Sequence, residues 1–282
     1  MGELRSEYTD FGPAGGITEE HRRRLAQLHR AFAHPFVVED AARLWGVDHA
    51  QAGRLLTYWA SRGWLARVRR GLYLPVPLET RNPSERREDP WIVAATLFAP
   101  GYLGGWTACE HWGLTDQVFA DLAVYTTRRV RHRDPVIQEV TYHVRVIRDA
   151  RLFGLRQVWR GHTQVSVSDP ARTLADILDD PSMGGGMKHV AEVAREYFES
   201  DHRDDAALRE YAGRLGNRAI CKRLGYLIET LDMDAPDLLE FCRQAISSGY
   251  SKLDPSVPTR GRLLRRWNLA VNVRIAGEGL SG

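Results

Sequence analysis

The sequence predicts an α+β fold with two domains, and three observations support this prediction. Residues Val38–Val76 show the pattern of two short helices, a tight turn and a two-stranded hairpin. Between residues 122 and 167, β-branched residues alternate as they do in strands, whereas from Met187 onward apolar residues recur mostly at helical spacing. We therefore predict a small domain over residues 1–75, a linker over 76–89, and a larger mixed α/β domain over 90–282 whose C-terminal part is mostly helical.

The composition is that of an ordinary globular protein. Of 282 residues, 43% are hydrophobic and 27% are charged, and the net charge is only +3, so any nucleic-acid surface must be local. No apolar run approaches the roughly 18 residues of a membrane span, and the first residues lack a signal-peptide core. The three cysteines lie far apart without a CxxC pair, which predicts neither a zinc ribbon nor a disulfide framework. A cytoplasmic protein without membrane contact is expected.

The N-terminal domain is predicted to begin with two helices. The first is predicted over Thr18–Ala33. The second, shorter helix is expected to bury Ala41, Ala42 and Leu44 and to end at Gly46, where a left-handed residue is easiest to accommodate.

A third helix follows, and its two faces differ in polarity. Asp48 is placed to cap it, with Gln51 three residues further on. One apolar stripe recurs at i, i+3, i+4 and i+7, formed by Ala52, Leu55, Leu56 and Trp59. The opposite face carries His49, Gln51, Arg54, Thr57, Tyr58 and Arg62. Early positions of such a helix reach base edges in a DNA groove, whereas later positions reach phosphates.

A basic hairpin completes the domain. Strands are predicted over Trp64–Val68 and Leu72–Val76, with Arg67, Arg69 and Arg70 at the tip. This order of elements is that of a winged helix-turn-helix, which presents a helix to the major groove and a hairpin to the flanking backbone. The polar helix face and these arginines are therefore predicted to bind double-stranded DNA. Docking of the same surface on a protein is the alternative.

The second domain is predicted to mix helices and strands. Helices are predicted over Pro90–Ala99 and Trp106–Trp112, and strands over Leu122–Thr127, Val140–Ile147 and Thr163–Val167. Asp169 is placed to cap a helix that Pro170 opens. After Met187 four helices follow, and a final strand over Trp267–Val273 is expected to return to the sheet.

No catalytic motif is present, so the chain is expected not to be an enzyme and to need no metal or cofactor. GxSxG, HExxH and CxxC are absent, and the glycines at 184–186 lack the spacing of a phosphate-binding loop, which predicts only a loop before a helix. Asp169, Asp176 and Asp179 fall on one helix but are not followed by the residues of a nuclease site. His111, next to Glu110, is interpreted as a structural histidine.

Two further basic clusters are candidate phosphate contacts. Arg128, Arg129, Arg131 and Arg133 follow a predicted strand, and Arg262 and Arg265 precede the last one. Each cluster could extend a DNA footprint, and each could equally be a solvated loop.

Several segments resemble the AbiEi-type antitoxins of abortive-infection, type IV toxin–antitoxin systems. The segment RGWLARVRRGLYLPVP, which ends near Pro77, is similar to the winged-helix domain of that family. Similar segments in the second domain are Asp89–Gln117, Val165–Val190, Lys222–Glu229 and Leu253–Val273. The resemblance extends over about residues 20–273.

This resemblance implies a cytoplasmic transcriptional repressor and antitoxin of phage defence. Such a protein binds inverted repeats in its own promoter through the helix and wing, and counteracts a nucleotidyltransferase-like toxin, directly or only functionally. The helix and hairpin residues named above correspond to its DNA contacts. Gly104–Trp106 and the pair Lys222 and Arg223 lie in matching segments, as candidates for neutralisation or for packing.

Two other functions stay open. One is a winged-helix regulator whose second domain senses a small molecule, for which a pocket lined by Trp106, Trp112 and Trp159 would be needed. The other is a phage-defence enzyme acting on nucleic acid or on a protein partner, which would need converging acidic residues.

Overall fold

The computed structural model describes residues 18–76 and 87–275, which belong to two compact units, Met1–Arg86 and Arg87–Gly282. Both units mix helices and strands, so the protein is α+β. Most of the predicted linker, residues 77–86, lies outside the described residues. Among the helices of residues 18–76 and 87–275, none combines the length and the hydropathy of a membrane-spanning segment.

The first unit packs three helices against a small antiparallel sheet. Its elements are α1 (Glu19–Ala31), β1 (Phe36–Val37), α2 (Val38–Trp45), α3 (His49–Ser61), β2 (Leu65–Arg69) and β3 (Leu72–Pro75). The strand order is β1-β3-β2, so the short β1 pairs with the second strand of the β2–β3 hairpin. Gly46 ends α2 in the left-handed region at φ 65°, as predicted.

Aromatic residues fill the core of the first unit. Trp59 is fully buried, and Trp45 meets it edge-on with ring centroids 5.4 Å apart. The prediction that Leu44 is buried was wrong, because Leu44 is 38% exposed. Trp45, four residues after the buried Ala41, takes the inward position on this short helix, and Leu44 is left beside it at the surface.

The second unit is built on a mixed six-stranded sheet of order β6-β7-β5-β4-β9-β8. Its strands are β4 (Gly101–Leu103), β5 (Leu122–Thr126), β6 (Val136–Ile137), β7 (Val140–Val146), β8 (Leu155–Arg160) and β9 (Thr163–Ser168). Helices α4 (Pro90–Leu97) and α5 (Gly105–His111) alternate with the first strands. The predicted strands at 122, 140 and 163 are confirmed within about one residue at each end, whereas β4, β6 and β8 of this sheet were not predicted from the sequence.

The C-terminal part of the second unit is mostly helical. Its helices are α6 (Pro170–Asp179), α7 (Met187–Glu199), α8 (Asp205–Leu215), α9 (Arg218–Thr230) and α10 (Pro236–Ala245). Asp169 caps α6, because its carboxylate accepts a hydrogen bond from the backbone N–H of Arg172 at 2.8 Å, as predicted. All ten residues of α6 are buried, between α5, α7, α8 and α9. Helix α6 is therefore the centre of the second unit.

The last strand does not return to the six-stranded sheet, and the prediction that it would was wrong. Strand β12 (Leu269–Val271) pairs with β10 (Ser251–Lys252) and β11 (Arg262–Leu264) in a separate small sheet. The position of β12 follows from the packing of Trp267, whose fully buried indole lies against Gly225 of α9. A Cβ at residue 225 would lie 2.2 Å from the ring, so only glycine fits there. The segment is thereby anchored to the helices.

Candidate nucleic-acid interface

Helix α3 presents one polar face to solvent, as its periodicity predicts. The carboxylate of Asp48 accepts a hydrogen bond from the N–H of Gln51 at 2.7 Å and fixes the start of the helix. Ala52, Leu56 and Trp59 are fully buried on one side. On the other side His49, Gln51, Arg54, Thr57 and Arg62 are exposed, and Tyr58 is half-buried.

The protein engages some of these polar side chains and leaves others free. The His49 ring lies 3.4 Å from the carboxylate of Glu39. The Thr57 hydroxyl donates to the carbonyl of Gly53 at 2.8 Å, and Arg62 lies over the Tyr58 ring.

By contrast, the side chains of Gln51 and Arg54 make no hydrogen bond or ion pair with any residue that the structure describes. Both lie in the first two turns of α3, the positions from which a helix reads base edges. These two side chains are therefore the best candidates on the helix for direct base contacts.

The hairpin tip is a second unengaged basic surface. Arg67, Arg69 and Arg70 are all exposed and lie at or beside the turn, where Gly71 has φ 84°. The register of the hairpin shifts between Arg67 and Arg69, while Val68 between them packs on a small apolar cluster of Ala66, Leu74 and Val76. Within residues 18–76 and 87–275, no carboxylate pairs with these three guanidinium groups. The tip is thus a positively charged turn held in place by the apolar cluster below it. Such a surface can bind the phosphates of a nucleic acid.

The two further basic clusters are also exposed. Residues 128–133, which we call the basic loop, follow β5 and carry Arg128, Arg129, Arg131 and Arg133 at the surface. Arg128 donates to the carbonyl of Leu97 at 3.2 Å. Arg262, the first residue of β11, and Arg265, the residue after its end, are exposed as well. All six positions are accessible to phosphates, and their role stays a prediction.

The candidates for toxin neutralisation at Lys222 and Arg223 are buried inside the second unit. Arg223 is 3% exposed and donates to four backbone carbonyls, those of Leu178, Asp179, Lys252 and Leu253, at 2.6–3.2 Å. Burial lowers the pKa of its guanidinium to about 10. Lys222 donates to the carbonyl of Gly249. This geometry ties α9 to α6 and to the β10 segment, which favours packing over contact with a partner.

Gly104 and Gly105 are required by close packing. Gly105 has φ 54°, and a Cβ there would lie 2.2 Å from the carbonyl oxygen of Met183. Trp106 is 7% exposed, and its indole N–H donates to the carbonyl of Asp121 at 2.9 Å. The segment therefore joins α5 to the sheet and to the turn before α7.

The acidic residues of α6 are occupied by protein donors. Asp176 accepts from Arg172 at 3.0 Å and from the hydroxyl of Tyr102 at 2.8 Å. Burial raises the pKa of the Asp176 carboxyl, although Arg172 opposes the shift. Asp179 accepts from Arg145, Arg151 and Asn217. Among the described residues no group of three His, Cys, Asp or Glu could hold a metal ion.

The backbone N–H of the first residue of α7 is likewise bonded to a protein group. The glycines at 184–186 lead into this helix, as predicted, and the carboxylate of Asp254 accepts from the N–H of Met187 at 2.8 Å. His111 lies between Trp91 and Trp112. Burial lowers the pKa of its ring, and the positive charge of Arg160 lowers it further. Neither place has the geometry of a phosphate cradle or an acid–base pair.

The three tryptophans named for a small-molecule pocket do not meet in one. Trp112 donates to the carbonyl of Ser168 at 2.7 Å, and Trp159 stands 64% exposed on β8. A cavity of about 310 Å³ instead lies between α4, β4 and β9, where β4 and β9 are paired only at Leu103 and Val167. Its lining includes Phe98, Leu103, Val124, Leu155 and Val165.

Comparison with known proteins finds no family model and no curated protein that matches the chain. A functional assignment therefore depends on the exposed basic surfaces of the two units. Among these surfaces, the polar face of α3 and the hairpin tip together offer the most groups that a nucleic acid could contact. They combine unengaged side chains on a helix with unpaired arginines on a projecting hairpin.

Proposed function

We propose that the first unit is a winged helix-turn-helix that binds double-stranded DNA. The observation behind this proposal is the pairing of a free helix face at Gln51 and Arg54 with a free hairpin tip at Arg69 and Arg70. Helix α3 would read base edges in the major groove, and the hairpin would hold flanking phosphates. His49, Thr57, Tyr58, Arg62 and Arg67 would add contacts at the margins of the same surface.

We further propose that the protein is a repressor and antitoxin located in the cytoplasm. This part of the proposal is supported by the segments that resemble AbiEi-type antitoxins. The DNA would then be inverted repeats in the promoter of its own operon. The toxin would be a nucleotidyltransferase-like protein encoded beside it, counteracted directly or only functionally.

The decisive test of DNA binding compares two substitutions of one side chain. Gel shifts use the full chain and its own upstream region. Arg54→Ala is expected to lower affinity for the preferred site by about 1–3 kcal/mol and to reduce sequence discrimination, if Arg54 contacts a guanine with two hydrogen bonds. Arg54→Lys keeps the charge but not the planar fork, so it should lose discrimination while keeping the salt dependence.

Substitution of the hairpin arginines tests the proposed phosphate contacts. Changing Arg69 and Arg70 together to Ala should weaken preferred and random DNA alike, with a salt slope smaller by about 1.8, because each neutralised phosphate contributes about 0.9. Arg195→Ala is the matched control, since Arg195 is exposed on α7 of the second unit. Unchanged affinity in both the Arg54 and the hairpin variants would contradict the interface.

Toxin neutralisation is tested with the same full-length variants. The hairpin variant is expected to lose repression of the promoter but still to rescue cells from the product of the neighbouring reading frame. Loss of rescue together with loss of DNA binding would instead place both activities on the first unit.

The cavity in the second unit supports one other function, a regulator that senses a small apolar molecule. Its volume of about 310 Å³ lies at the lower end of the range for small ligands. A thermal-shift screen of apolar metabolites tests it. A hit that shifts operator affinity would favour the regulator over the antitoxin.

A further inference from the structure

The β8–β9 hairpin of the second unit ends in an exposed tryptophan. Trp159 keeps 64% of its surface in solvent, whereas tryptophan is usually largely buried. Its cross-strand partner is the exposed Gln164, and the turn beside it consists of the exposed Gly161 and His162. An exposed indole with polar neighbours is an open stacking surface for another flat ring.

The strand register places Trp159 at the same end of the sheet as the basic loop. Leu103 on β4 lies beside Val167 on β9, and these two strands are parallel. Strand β4 is antiparallel to β5, with Gly101 beside Thr126. The turn between β8 and β9 and the chain after Thr126 therefore leave the sheet at one end. Three strand spacings, about 14 Å, separate β8 from β5, where the basic loop begins, and the last residue of the loop, Arg133, lies further away on the β6 side of β7.

The arginines of the basic loop have no acidic partners among the described residues. Arg128, Arg129, Arg131 and Arg133 are exposed, and the segment from 127 to 133 contains no acid. The next acid, Asp134, is engaged by the Nδ1 atom of His143 at 2.8 Å. The loop is also held by its backbone, because the N–H of Val144 donates to the carbonyl of Arg133 at 2.6 Å. The guanidinium groups of the basic loop thus have no acidic partner within the described ranges, and a backbone hydrogen bond to β7 holds the end of the loop in place.

We propose that this end of the sheet binds single-stranded nucleic acid, with a base stacked on Trp159 and phosphates held by the basic loop. Single strands offer both groups that the site can use, because each base has a free face and each nucleotide has a phosphate. A duplex keeps its bases stacked on one another, so it could use the arginines but not the indole. The site is therefore distinct from the proposed operator contact of the first unit.

The test measures binding of labelled oligouridylate and oligothymidylate to the full-length protein by fluorescence anisotropy. Trp159→Ala is expected to weaken binding by about five- to a hundredfold, and Trp159→Phe should retain most of the affinity. Changing Arg129 and Arg131 together to Ala should reduce the salt slope by about 1.4, since each phosphate contact on a single strand contributes about 0.7. A preference between the two oligomers identifies RNA or DNA as the ligand.

Matched controls separate this site from a general effect of charge or of an exposed ring. Tyr250→Ala removes another exposed aromatic ring, and Arg195→Ala another exposed arginine, so both should bind as the unaltered protein does. Arg54→Ala should lose operator affinity and keep oligonucleotide binding, and Trp159→Ala should do the reverse.

Three results would overturn the proposal. One is no binding of either oligonucleotide by the unaltered protein. A second is an equal loss in Trp159→Ala and Tyr250→Ala. The third is a Trp159→Ala variant that binds oligonucleotides normally but no longer neutralises the toxin, which would make this surface a protein interface. Because Trp159 is mostly in solvent, its substitution should leave the thermal unfolding of the protein unchanged.

Discussion

The two units differ in where they keep their charged side chains. In residues 18–76 every fully buried side chain is apolar or aromatic, and the arginines lie at the surface. In the second unit, Arg172, Asp176, Asp179, Lys222 and Arg223 are all buried. The first unit is held by an apolar core beneath a free polar surface, whereas the second encloses a polar network within its core.

This difference shows that the same residue type serves two physical purposes in one chain. A guanidinium group has five donors in a fixed fork and stays charged when buried. Arg223 uses this fork to satisfy four carbonyl groups at once. Arg54 presents the same fork to solvent, available to a ligand. Arginine content alone is therefore uninformative, and burial distinguishes the structural arginines from the candidate contacts.

The largest expected effect comes from breaking the buried pair on α6. Asp176→Ala would leave Arg172, which has no exposed surface, as an uncompensated buried charge. We expect a loss of about 3–5 kcal/mol in the free energy of unfolding of the second unit. Urea unfolding followed by hydrogen–deuterium exchange reports each unit separately, and exchange in the first unit should stay unchanged.

An exposed acid provides the control for this prediction. Glu192→Ala, on the solvent side of α7, should change stability by less than about 0.5 kcal/mol. A similarly small effect of Asp176→Ala would show that water reaches Arg172, and the contrast between the two units would then be weaker than the burial indicates.

A smaller effect is expected from two stacked tyrosines beside this pair. The rings of Tyr102 and Tyr125 are parallel, with centroids 4.9 Å apart, and burial raises the pKa of both hydroxyls. Tyr102 donates to Asp176 and accepts from Arg172. The buried hydroxyl of Tyr125 has no hydrogen-bond partner among the described residues. The pair thus compares a bonded hydroxyl with an unbonded one in the same surroundings.

Replacing each tyrosine by phenylalanine measures the value of each hydroxyl. Tyr102→Phe should cost about 1–3 kcal/mol, because it leaves one oxygen of Asp176 without its donor. Tyr125→Phe should be neutral or slightly stabilising, since it removes an unsatisfied polar group. If urea unfolding shows equal losses in both variants, an ordered water bonds the Tyr125 hydroxyl in solution.

The elements that the sequence predicted best are those fixed by local chemistry. The start of α3 follows from the Asp48 cap and the start of α6 from Asp169, and each cap bond is made within three residues. The buried stripe of α3 follows from helical periodicity, although Leu55 is only half-buried. These features need no information about distant parts of the chain.

The features that the sequence did not predict depend on distant contacts. Strand β8 lies at the sheet edge, and its exposed residues Arg156 and Gln157 are adjacent, so apolar and polar residues do not alternate along it as they do in a half-buried strand. The position of the final strand is decided by Trp267 on Gly225, more than 40 residues away along the chain. The exposure of Trp159 follows from that edge position. Candidate sites made by tertiary packing are therefore the ones that only the structure reveals.

The smallest expected effect tests the local chemistry of the first unit. Asp48→Ala removes the side-chain acceptor for the N–H of Gln51 and should cost about 1 kcal/mol of stability, confined to residues 18–76 in hydrogen–deuterium exchange. Asp48→Asn keeps an acceptor oxygen, so its stability should be close to that of the unaltered protein, and it removes a negative charge beside the proposed DNA contacts of α3. Its duplex affinity is therefore expected to be equal or slightly higher. If Asn destabilises as much as Ala, the carboxylate acts through its charge at the positive end of α3, and salt should then reduce the difference between Asp48 and both variants.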